Sequence, residues 1–305
     1  MKAIVVGMGV QGEKRKKILG DNFVYSVDKF KKADFKEINQ IPLKKFDSVF
    51  LCVPDNQKIK IIEYCITHKK NVLVEKPLLA KKNNEIKKLE KLAIKNRVVL
   101  YSAYNHRFEP AIKKLKKVIQ SKTLGRIYNC RFFYGNGTSY LVKTSKWRDS
   151  GLGVITDIGS HLLDLCIFLF GEKIKNLKVI KINKFENKAS DHALLSLEIN
   201  GISIQLEMTL CMWKNTFTCD LLASKGSVHL SSLSKWEKNS LIFRKRKLPS
   251  GKPKEKKFFF RKGDPTWVAE QLHFKNLIKR NKKTNLKKDI LINEKFLKLK
   301  NNISL

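Results

Sequence analysis

The stretch that decides the fold is Ala3-Ile4-Val5-Val6-Gly7-Met8-Gly9-Val10-Gln11-Gly12, an apolar run that leads directly into a glycine-rich turn. In the pattern Gly-x-Gly-x-x-Gly, Gly7 permits a tight turn, Gly9 lets the backbone approach a pyrophosphate, and Gly12 lets a helix pack closely on the strand. That helix, expected to start near Gly12, offers free N–H groups and a positive dipole end to phosphates. The stretch therefore predicts a dinucleotide-binding turn.

A second apolar strand, Phe23–Val27, ends in Asp28, which stands where an acidic residue is expected about 20 positions after the turn. A carboxylate there can accept both ribose hydroxyls of NAD and repels the 2′-phosphate of NADP. The neighbouring Lys29, Lys31 and Lys32 have the opposite effect, because their positive charges would attract the 2′-phosphate of NADP. The predicted cofactor is NAD, with NADP left open.

Outward from this turn, short apolar runs alternate with helical stretches, which is typical of βαβ units and a parallel sheet. The predicted strands are Ala3–Val6, Phe23–Val27, Ser48–Val53, Asn71–Val74 and Val98–Ser102. The predicted helices are Glu13–Leu19, Gln57–His68, Asn83–Ala93 and Pro110–Gln120. The segment 28–47 is short for a full helical unit, so that unit is expected to be abbreviated.

After Gly125 the pattern changes to successive alternating runs, which indicate an antiparallel sheet. The predicted strands are Ile127–Tyr134, Leu177–Ile182, Ala193–Ile199, Ile202–Leu210, Thr216–Ala223, Ser227–Leu230 and Ser240–Arg244. A helix at Trp267–Lys279 is expected to pack on that sheet, and a short one follows at Leu291–Leu299. A lysine-rich hairpin at 243–261 is expected to protect the sheet edge.

Two further motifs carry groups that can move a proton. In the first, Glu75-Lys76-Pro77 follows an apolar strand, so Lys76 is expected at the carboxyl edge of the sheet, where ligands bind in doubly wound folds. Pro77 restricts the backbone of the lysine before it. The alternative is a solvated lysine at a strand end, which is the usual state of this side chain.

The second motif runs from Gly151 to His161, and its Asp157 and His161 lie on one face if a helix begins near Asp157. In that case the carboxylate can orient the imidazole and stabilise its charged form. The alternative is that Asp157 caps the helix and His161 is a core histidine. Asp164 can pair with His161 in either case.

The net charge of +37 admits two interpretations. A polyanion such as RNA, DNA or an acidic membrane surface is one partner class that it would suit. However, only ten of the 64 basic residues are arginine, and the lysines are spread over many predicted elements. Because phosphate and base readout favours arginine, we interpret the charge as compositional and do not expect a nucleic acid partner. The charge still favours anionic substrates.

Composition bounds the class of protein further. A chain of 305 residues with 42% hydrophobic and 30% charged residues is typical of one large or two ordinary globular domains. The six cysteines show no CxxC or metal-ligand spacing, so neither a metal site nor a disulfide framework is expected. No apolar run is long enough to span a bilayer, and the sequence begins directly with a strand, so a cytoplasmic protein without membrane contact is expected.

Together these motifs resemble those of the glucose–fructose oxidoreductase/inositol dehydrogenase/rhizopine-catabolism (GFO/IDH/MocA) family. The resemblance runs motif by motif from Lys2 to about Gly171 and continues to the C-terminus as general architecture. It rests on the glycine turn, Val74-Glu75-Lys76-Pro77, Tyr104-Asn105-His106-Arg107-Phe108-Glu109-Pro110, and the Asp-x-Gly-x-His pattern that ends at His161.

The resemblance implies an α/β fold with two domains. Residues 1–120 would form an N-terminal Rossmann domain with a doubly wound parallel sheet. Residues 121–305 would form a C-terminal α+β domain with a large, mostly antiparallel open sheet. The family often dimerises through that sheet, so a homodimer or homotetramer is expected.

The resemblance also implies roles for particular residues. Lys76 would be the catalytic lysine, Asp157 its partnering aspartate and His161 the acid/base. The expected cofactor-binding residues are Gly7, Gly9, Val10, Gln11, Gly12, Asp28, Pro54, Asn56, Glu75 and Lys76. The candidate substrate contacts are Asn105, Arg107, Trp147 and Arg148.

The expected activity is therefore that of an NAD(P)-dependent oxidoreductase. In the oxidising direction, His161 takes the hydroxyl proton of a secondary alcohol, Lys76 donates to the same oxygen, and hydride passes to the nicotinamide. Sugars, nucleotide-linked or acidic sugars and cyclitols are the implied substrates. Two alternatives stay open: reduction of a non-sugar acceptor such as a tetrapyrrole or imine on the same scaffold, and a non-catalytic regulator that binds NAD or nucleic acid.

Overall fold

Strands and helices alternate through the first hundred residues, and strands dominate the second half of the chain. The computed structural model describes residues 1–145 and 147–303. The strands are β1 (Ala3–Val6), β2 (Phe23–Val27), β3 (Ser48–Leu51), β4 (Asn71–Glu75), β5 (Leu100–Ala103), β6 (Ile127–Gly135), β7 (Ile174–Asn183), β8 (His192–Ile199), β9 (Ile202–Thr209), β10 (Thr216–Ala223), β11 (Gly226–Ser231), β12 (Asn239–Lys245) and β13 (Lys254–Phe260). The helices are α1 (Val10–Leu19), α2 (Asp55–Thr67), α3 (Asn83–Lys95), α4 (Pro110–Gln120), α5 (Ser139–Lys143), α6 (Val154–Phe170), α7 (Thr266–Lys279) and α8 (Lys287–Asn302).

These elements fold into two units. The first comprises Met1–Tyr104 and Trp267–Glu294, and the second comprises Asn105–Thr266 and the chain from Lys295 onward. This division differs from a single boundary at residue 120, because the chain enters the first unit twice.

The first unit contains a five-stranded parallel sheet with the order β2-β1-β3-β4-β5. Its order reverses beside β1, as in a doubly wound fold, and the fold class expected from the sequence is confirmed. The abbreviated unit between β2 and β3 is also confirmed, since that segment holds two short 3₁₀ helices, Ile38–Gln40 and Leu43–Lys45.

Both faces of this sheet are covered, as a parallel sheet requires. Alternate residues of each strand point to opposite faces, so Ile4 and Val6 pack with α2 and α3, and Ala3 and Val5 pack with α1. The expectation that the helix at Trp267–Lys279 covers the second sheet is wrong. Phe274 of α7 lies against Phe50 with ring centroids 5.7 Å apart, because α1 alone leaves part of that face uncovered.

The second unit contains an eight-stranded sheet with the order β13-β12-β11-β10-β6-β9-β8-β7. All neighbouring pairs are antiparallel except β6 and β9, which are parallel. This pair departs from the expectation of successive antiparallel strands because α6 and two strands separate β6 from β9 in the chain, which supplies the crossover that parallel pairing needs. The expected lysine-rich hairpin is present as β12 and β13.

Some helix boundaries differ from those expected from the sequence. Helix α6 begins at Val154 rather than near Asp157, and α8 runs over Lys287–Asn302 rather than Leu291–Leu299. Within residues 1–145 and 147–303, no helix combines the length and apolar character that crossing a bilayer demands.

Candidate active site

The glycine turn between β1 and α1 is fixed by close contacts. Gly7 has φ +92°, and a Cβ there would lie 2.5 Å from the carbonyl oxygen of Cys52. A Cβ on Gly12 would lie 1.9 Å from the carbonyl oxygen of Gly7, so the helix approaches the turn as closely as the sequence pattern predicts. The helix starts at Val10 rather than near Gly12, which makes Gly9 its N-cap.

Gly9 differs from its two neighbours in the pattern. Its backbone has φ −77° and ψ −171°, which any residue adopts, and a Cβ there would meet no atom of the described part of the chain within 4 Å. The protein itself therefore does not require glycine at this position. The open space lies beside the first turn of α1, whose N–H groups have no partner within the helix. Val10 in that turn is 83% exposed. The cradle fits the pyrophosphate of a dinucleotide, since its backbone donors and dipole favour an anion.

Asp28 connects the end of β2 to this turn. Its Oδ2 accepts the backbone N–H of Met8 at 2.7 Å, and its Oδ1 accepts those of Phe30 and Lys31 at 2.9 and 2.8 Å. Partial burial alone would raise the pKa of Asp28, but these hydrogen bonds outweigh it and lower the pKa below its ordinary value. A carboxylate has about four acceptor positions. Three are occupied within the protein, and the contact expected between Asp28 and the ribose hydroxyls stays a prediction.

The end of β4 carries Lys76, and a buried lysine on α2 holds the backbone on both sides of it. Lys58 is 1% exposed, and its Nζ donates to the carbonyl oxygens of Glu75 at 2.6 Å and of Pro77 at 2.8 Å. The same Nζ forms an ion pair with Asp55 at 2.7 Å. The Lys76–Pro77 peptide bond is cis. Lys58 was not predicted from the sequence.

A second buried cation holds the side chain of Glu75. Arg15 of α1 is 1% exposed, and its Nε and Nη2 each lie 2.7 Å from a carboxylate oxygen, of Glu75 and Glu270 respectively. Its guanidinium also lies 4.2 Å from the ring centroid of Trp267. Burial alone would lower the pKa of Arg15, but the two carboxylates outweigh it and raise the pKa. Glu75, predicted as a cofactor contact, is therefore part of a buried ion-pair network.

Pro54 and Asn56 lie at the start of α2, at the carboxyl end of β3. Pro54 is the N-cap residue, and Asn56 is exposed in the first turn. Their position at the carboxyl edge of the sheet suits a ligand contact. The contacts expected of them with a cofactor stay a prediction.

In the second unit, the N-terminus of α6 is fastened to the segment before β8. Gly153 is the N-cap with φ +51°, and a Cβ there would lie 2.2 Å from the carbonyl oxygen of Ser190. Val154 donates its N–H to that same oxygen at 2.7 Å, and Ser190 donates its hydroxyl to the carbonyl of Leu152. The first turn of α6 is thus rigid.

Asp157 and His161 lie one turn apart on this helix, as the sequence predicts. Asp157 is in the first turn rather than at the cap, where the helix dipole favours a carboxylate. Its Oδ2 accepts a hydrogen bond from Nη2 of Arg148 at 3.0 Å. The ring of His161 stacks on that of His106, with centroids 4.0 Å apart, and lies 6.3 Å from that of Tyr134.

The four candidate substrate contacts divide into two kinds. Asn105 is buried and donates to Thr266 at 2.8 Å, and Arg107 donates its Nε to the buried carboxylate of Asp164 at 2.7 Å. Asp164 therefore pairs with Arg107. Trp147 is 56% exposed, and Arg148 holds Asp157. Asn105 and Arg107 are thus engaged within the protein, and Trp147 and Arg148 lie in the segment that precedes α6.

Sequence reasoning missed several residues that surround these positions. They are Arg15, Lys58, His106, Tyr134, Lys235 and Glu270. Only His106 had a signal, because it lies in the Tyr104–Pro110 segment already singled out. Among residues 1–145 and 147–303, no cluster of three or more His, Cys, Asp or Glu side chains could hold a metal ion.

Comparison with known families matches both halves of the chain. Residues 2–104 match the model described as "Oxidoreductase family, NAD-binding Rossmann fold", and residues 112–229 match the "GFO/IDH/MocA C-terminal domain". The chain belongs to the GFO/IDH/MocA oxidoreductase family. The resemblance drawn from the motifs is thereby confirmed, and so is the expectation of an NAD-binding Rossmann domain.

Individual relatives of this GFO/IDH/MocA protein are distant. The myo-inositol 2-dehydrogenase of Thermotoga maritima is 24% identical over 201 residues, which are 58% of this chain and 57% of that protein. The chain spans less than two thirds of the length of the curated relatives it matches, with 64% and 57% for two of them.

Two solved structures show the same fold. A putative NADPH-dependent oxidoreductase from Desulfitobacterium hafniense has a TM-score of 0.83 at 16% identity, covering 97% of this chain and 92% of that one. A levoglucosan dehydrogenase in complex with NADH has a TM-score of 0.82 at 15% identity, covering 98% and 96%. At these identities the likeness concerns the fold alone.

Proposed function

We propose that this protein is an NAD(P)-dependent dehydrogenase or reductase that transfers hydride between a nicotinamide and a secondary alcohol or ketone. The proposed substrate is a sugar, a sugar derivative such as a nucleotide-linked or acidic sugar, or a cyclitol. The named relatives, which include an inositol dehydrogenase and a levoglucosan dehydrogenase, support this class. We propose NAD rather than NADP as the preferred cofactor because Asp28 would lie beside the 2′-phosphate.

The dinucleotide would be held by the turn from Gly7 to Gly12, by Asp28, and by the edge residues Pro54, Asn56, Glu75 and Lys76. The open space at Gly9 supports this assignment, since no atom of residues 1–145 and 147–303 lies within 4 Å of the position that a Cβ would take. A bound nicotinamide supplies the hydride acceptor or donor.

The proton chemistry falls to three residues. His161 takes the hydroxyl proton during oxidation and returns it during reduction, because an imidazole titrates near neutral pH. Lys76 donates a hydrogen bond to the same oxygen and stabilises the developing alkoxide. Asp157 favours the charged form of the imidazole one turn away. Trp147 and Arg148 contact the substrate, and Asn105 and Arg107 support the segment that carries His106.

The observation that carries the proposal is the rigid setting of Lys76. Lys58 and Arg15 are both buried cations, and together they fix the carbonyl of Glu75, the carbonyl of Pro77 and the side chain of Glu75. Burying a cation is unfavourable unless it is fully paired, so a solvated lysine at a strand end would not need this support. The arrangement suits a lysine that must be placed accurately.

We also propose that the protein is a homo-oligomer that assembles through the outward face of the eight-stranded sheet. The adjacent strands β6, β8, β9, β10 and β11 contain no lysine, although the chain has 54. Strands β7, β12 and β13, which lie outside them in the sheet, do contain lysines. A face that stays free of the chain's most common charged residue suits contact with a second copy.

The test is turnover measured at 340 nm with NAD and NADP against myo-inositol, levoglucosan, UDP-N-acetylglucosamine and a panel of simple sugars. We expect turnover with at least one substrate, and a loss of at least a hundredfold in kcat for Lys76→Ala and for His161→Ala, with cofactor binding retained in His161→Ala. The exposed Lys81→Ala is the matched control. Full turnover in both variants would refute the assigned roles. RNA binding that weakens with salt, without turnover on any substrate, would instead favour a regulator.

A further inference from the structure

The loop between β11 and β12 is held by hydrogen bonds to the buried carboxyl group of Glu109. Glu109 is 1% exposed, and its Oε1 accepts hydrogen bonds from the hydroxyl of Ser234 and from Nδ2 of Asn239, the latter at 2.9 Å. The backbone N–H of Gly263 donates to the carbonyl of Ser234 at 2.8 Å. The loop is therefore held at both ends, and the residue that follows Ser234 has a defined position.

That residue is Lys235, and its ammonium lies among aromatic rings and a hydroxyl group. Its Nζ donates to the hydroxyl oxygen of Tyr134 at 3.1 Å, lies 3.5 Å from Nε2 of His106, and sits 4.5 Å from the ring centroid of Trp236. Within residues 1–145 and 147–303, no carboxylate oxygen lies within 4.0 Å of it. The lysine is half-buried and has no counterion.

This state favours an incoming anion. Aromatic faces and a phenol oxygen offset only part of the cost of removing an ammonium from water. A carboxylate or phosphate oxygen would form a charge-assisted hydrogen bond, which is stronger than the neutral ones present. Tyr134 accepts from Lys235, so its own hydroxyl hydrogen can donate to a second oxygen of the same anion.

The position of Lys235 relates it to the proposed acid/base. His106 and Tyr134, which Lys235 contacts, also lie beside His161, with ring centroids 4.0 and 6.3 Å from that of His161. The ammonium and the His161 imidazole thus border the same pair of rings. A single sugar-sized ligand could therefore place one group at Lys235 and another at His161.

We propose that Lys235, with the hydroxyl of Tyr134, forms a subsite for the carboxylate or phosphate of an anionic sugar substrate. This inference rests on the proposed function and narrows its substrate class. Neutral sugars and cyclitols would leave the ammonium without a counterion and bind more weakly.

The test is calorimetric titration of the NAD-loaded full chain at fixed ionic strength. The ligands are D-glucuronate as the carboxylate, D-glucose 6-phosphate as the phosphate, and D-glucose as the neutral reference. We expect at least one anion to bind ten times more tightly than glucose. Lys235→Met should abolish that advantage, and Lys235→Arg should retain part of it. The control is Lys238→Met, because Lys238 lies exposed on the same loop and contacts Phe259 instead.

Two outcomes would overturn the subsite: equal binding of both anions and glucose to the unmodified protein, or equal losses in Lys235→Met and Lys238→Met. A thermal melt of each variant separates lost binding from lost folding. Because the titration needs no turnover, the two proposals fail separately. Anion binding through Lys235 without any hydride transfer would reject the enzymatic role alone, and turnover of an anionic sugar unaffected by Lys235→Met would reject the subsite alone.

Discussion

The ammonium of Lys58 lies 2.6 Å from the carbonyl oxygen of Glu75, one residue before Lys76, and it also holds the carbonyl of Pro77, one residue after it. A single buried cation therefore binds the backbone carbonyls on both sides of Lys76, the proposed catalytic lysine. Removing it would leave two carbonyl oxygens and the Asp55 carboxylate without this donor, and each unsatisfied buried group costs about 1–3 kcal/mol.

We accordingly expect Lys58→Met to lower kcat at least tenfold while the KM for NAD changes little, since the glycine turn is untouched. The exposed Lys60→Met on the same helix should leave both constants unchanged. Steady-state kinetics and a thermal melt check this. A variant that melts earlier yet retains full kcat would show that Lys58 supports only folding.

Much of the fold follows from local pattern. The strands of the first unit were predicted to within two residues at each end, because a buried parallel strand reads as a short apolar run between turn signals. The start of α6 was placed three residues late, because Val154 and Ile155 are apolar like the helix itself and Gly153 at the cap gives no side-chain signal.

The contacts around the site could not be predicted in the same way. Lys58 and Lys235 are two of 54 lysines, and their spacing in the sequence does not predict which lysine side chains are buried. Arg15 and Glu270 are 255 positions apart, so their pairing depends on which sheet α7 covers. An amphipathic pattern shows that α7 has an apolar face but not which sheet receives it.

Glu270 makes the stability of the first unit dependent on pH. Burial raises the pKa of its carboxyl to about 7, against the opposing effect of Arg15. An unfolded glutamate titrates near about 4.3. From about pH 4.5 to 7, the folded protein therefore holds a proton that the unfolded chain has released, and the contribution of Glu270 to the free energy of unfolding falls as pH rises.

We expect the free energy of unfolding of the native protein, minus that of Glu270→Gln, to decline across this window by at most about 1.4 kcal/mol per pH unit. Urea unfolding at pH 5, 6, 7 and 8 measures it. Glu13→Gln, at an exposed position of α1, is the control and should show no such trend. A difference that stays constant between pH 5 and 7 would contradict the assignment.

If the protein assembles through the lysine-free outward face formed by β6, β8, β9, β10 and β11, a charge placed on that face should disrupt the oligomer. Leu222 of β10 is 48% exposed and belongs to that face, whereas Leu248 is 68% exposed in the turn between β12 and β13. A lysine at the first position places an ammonium in the proposed interface, where an unpaired charge is costly. We expect Leu222→Lys to yield monomers by light scattering and Leu248→Lys to leave the oligomer intact. A monomeric unmodified protein would end this proposal.

The glycine turn offers a matched pair of substitutions that separates cofactor binding from folding. Gly9→Ala adds a methyl group to open space at an ordinary backbone conformation, so its thermal midpoint should change little. The methyl group would occupy the space proposed for the pyrophosphate, and the Kd for NAD should rise at least tenfold. Gly12→Ala instead places a Cβ 1.9 Å from the carbonyl oxygen of Gly7, which should destabilise the protein by about 1–3 kcal/mol. Calorimetry with NAD and thermal melts of both variants check the pair. If Gly9→Ala binds NAD as tightly as the unmodified chain, the pyrophosphate does not lie against Gly9 at the first turn of α1.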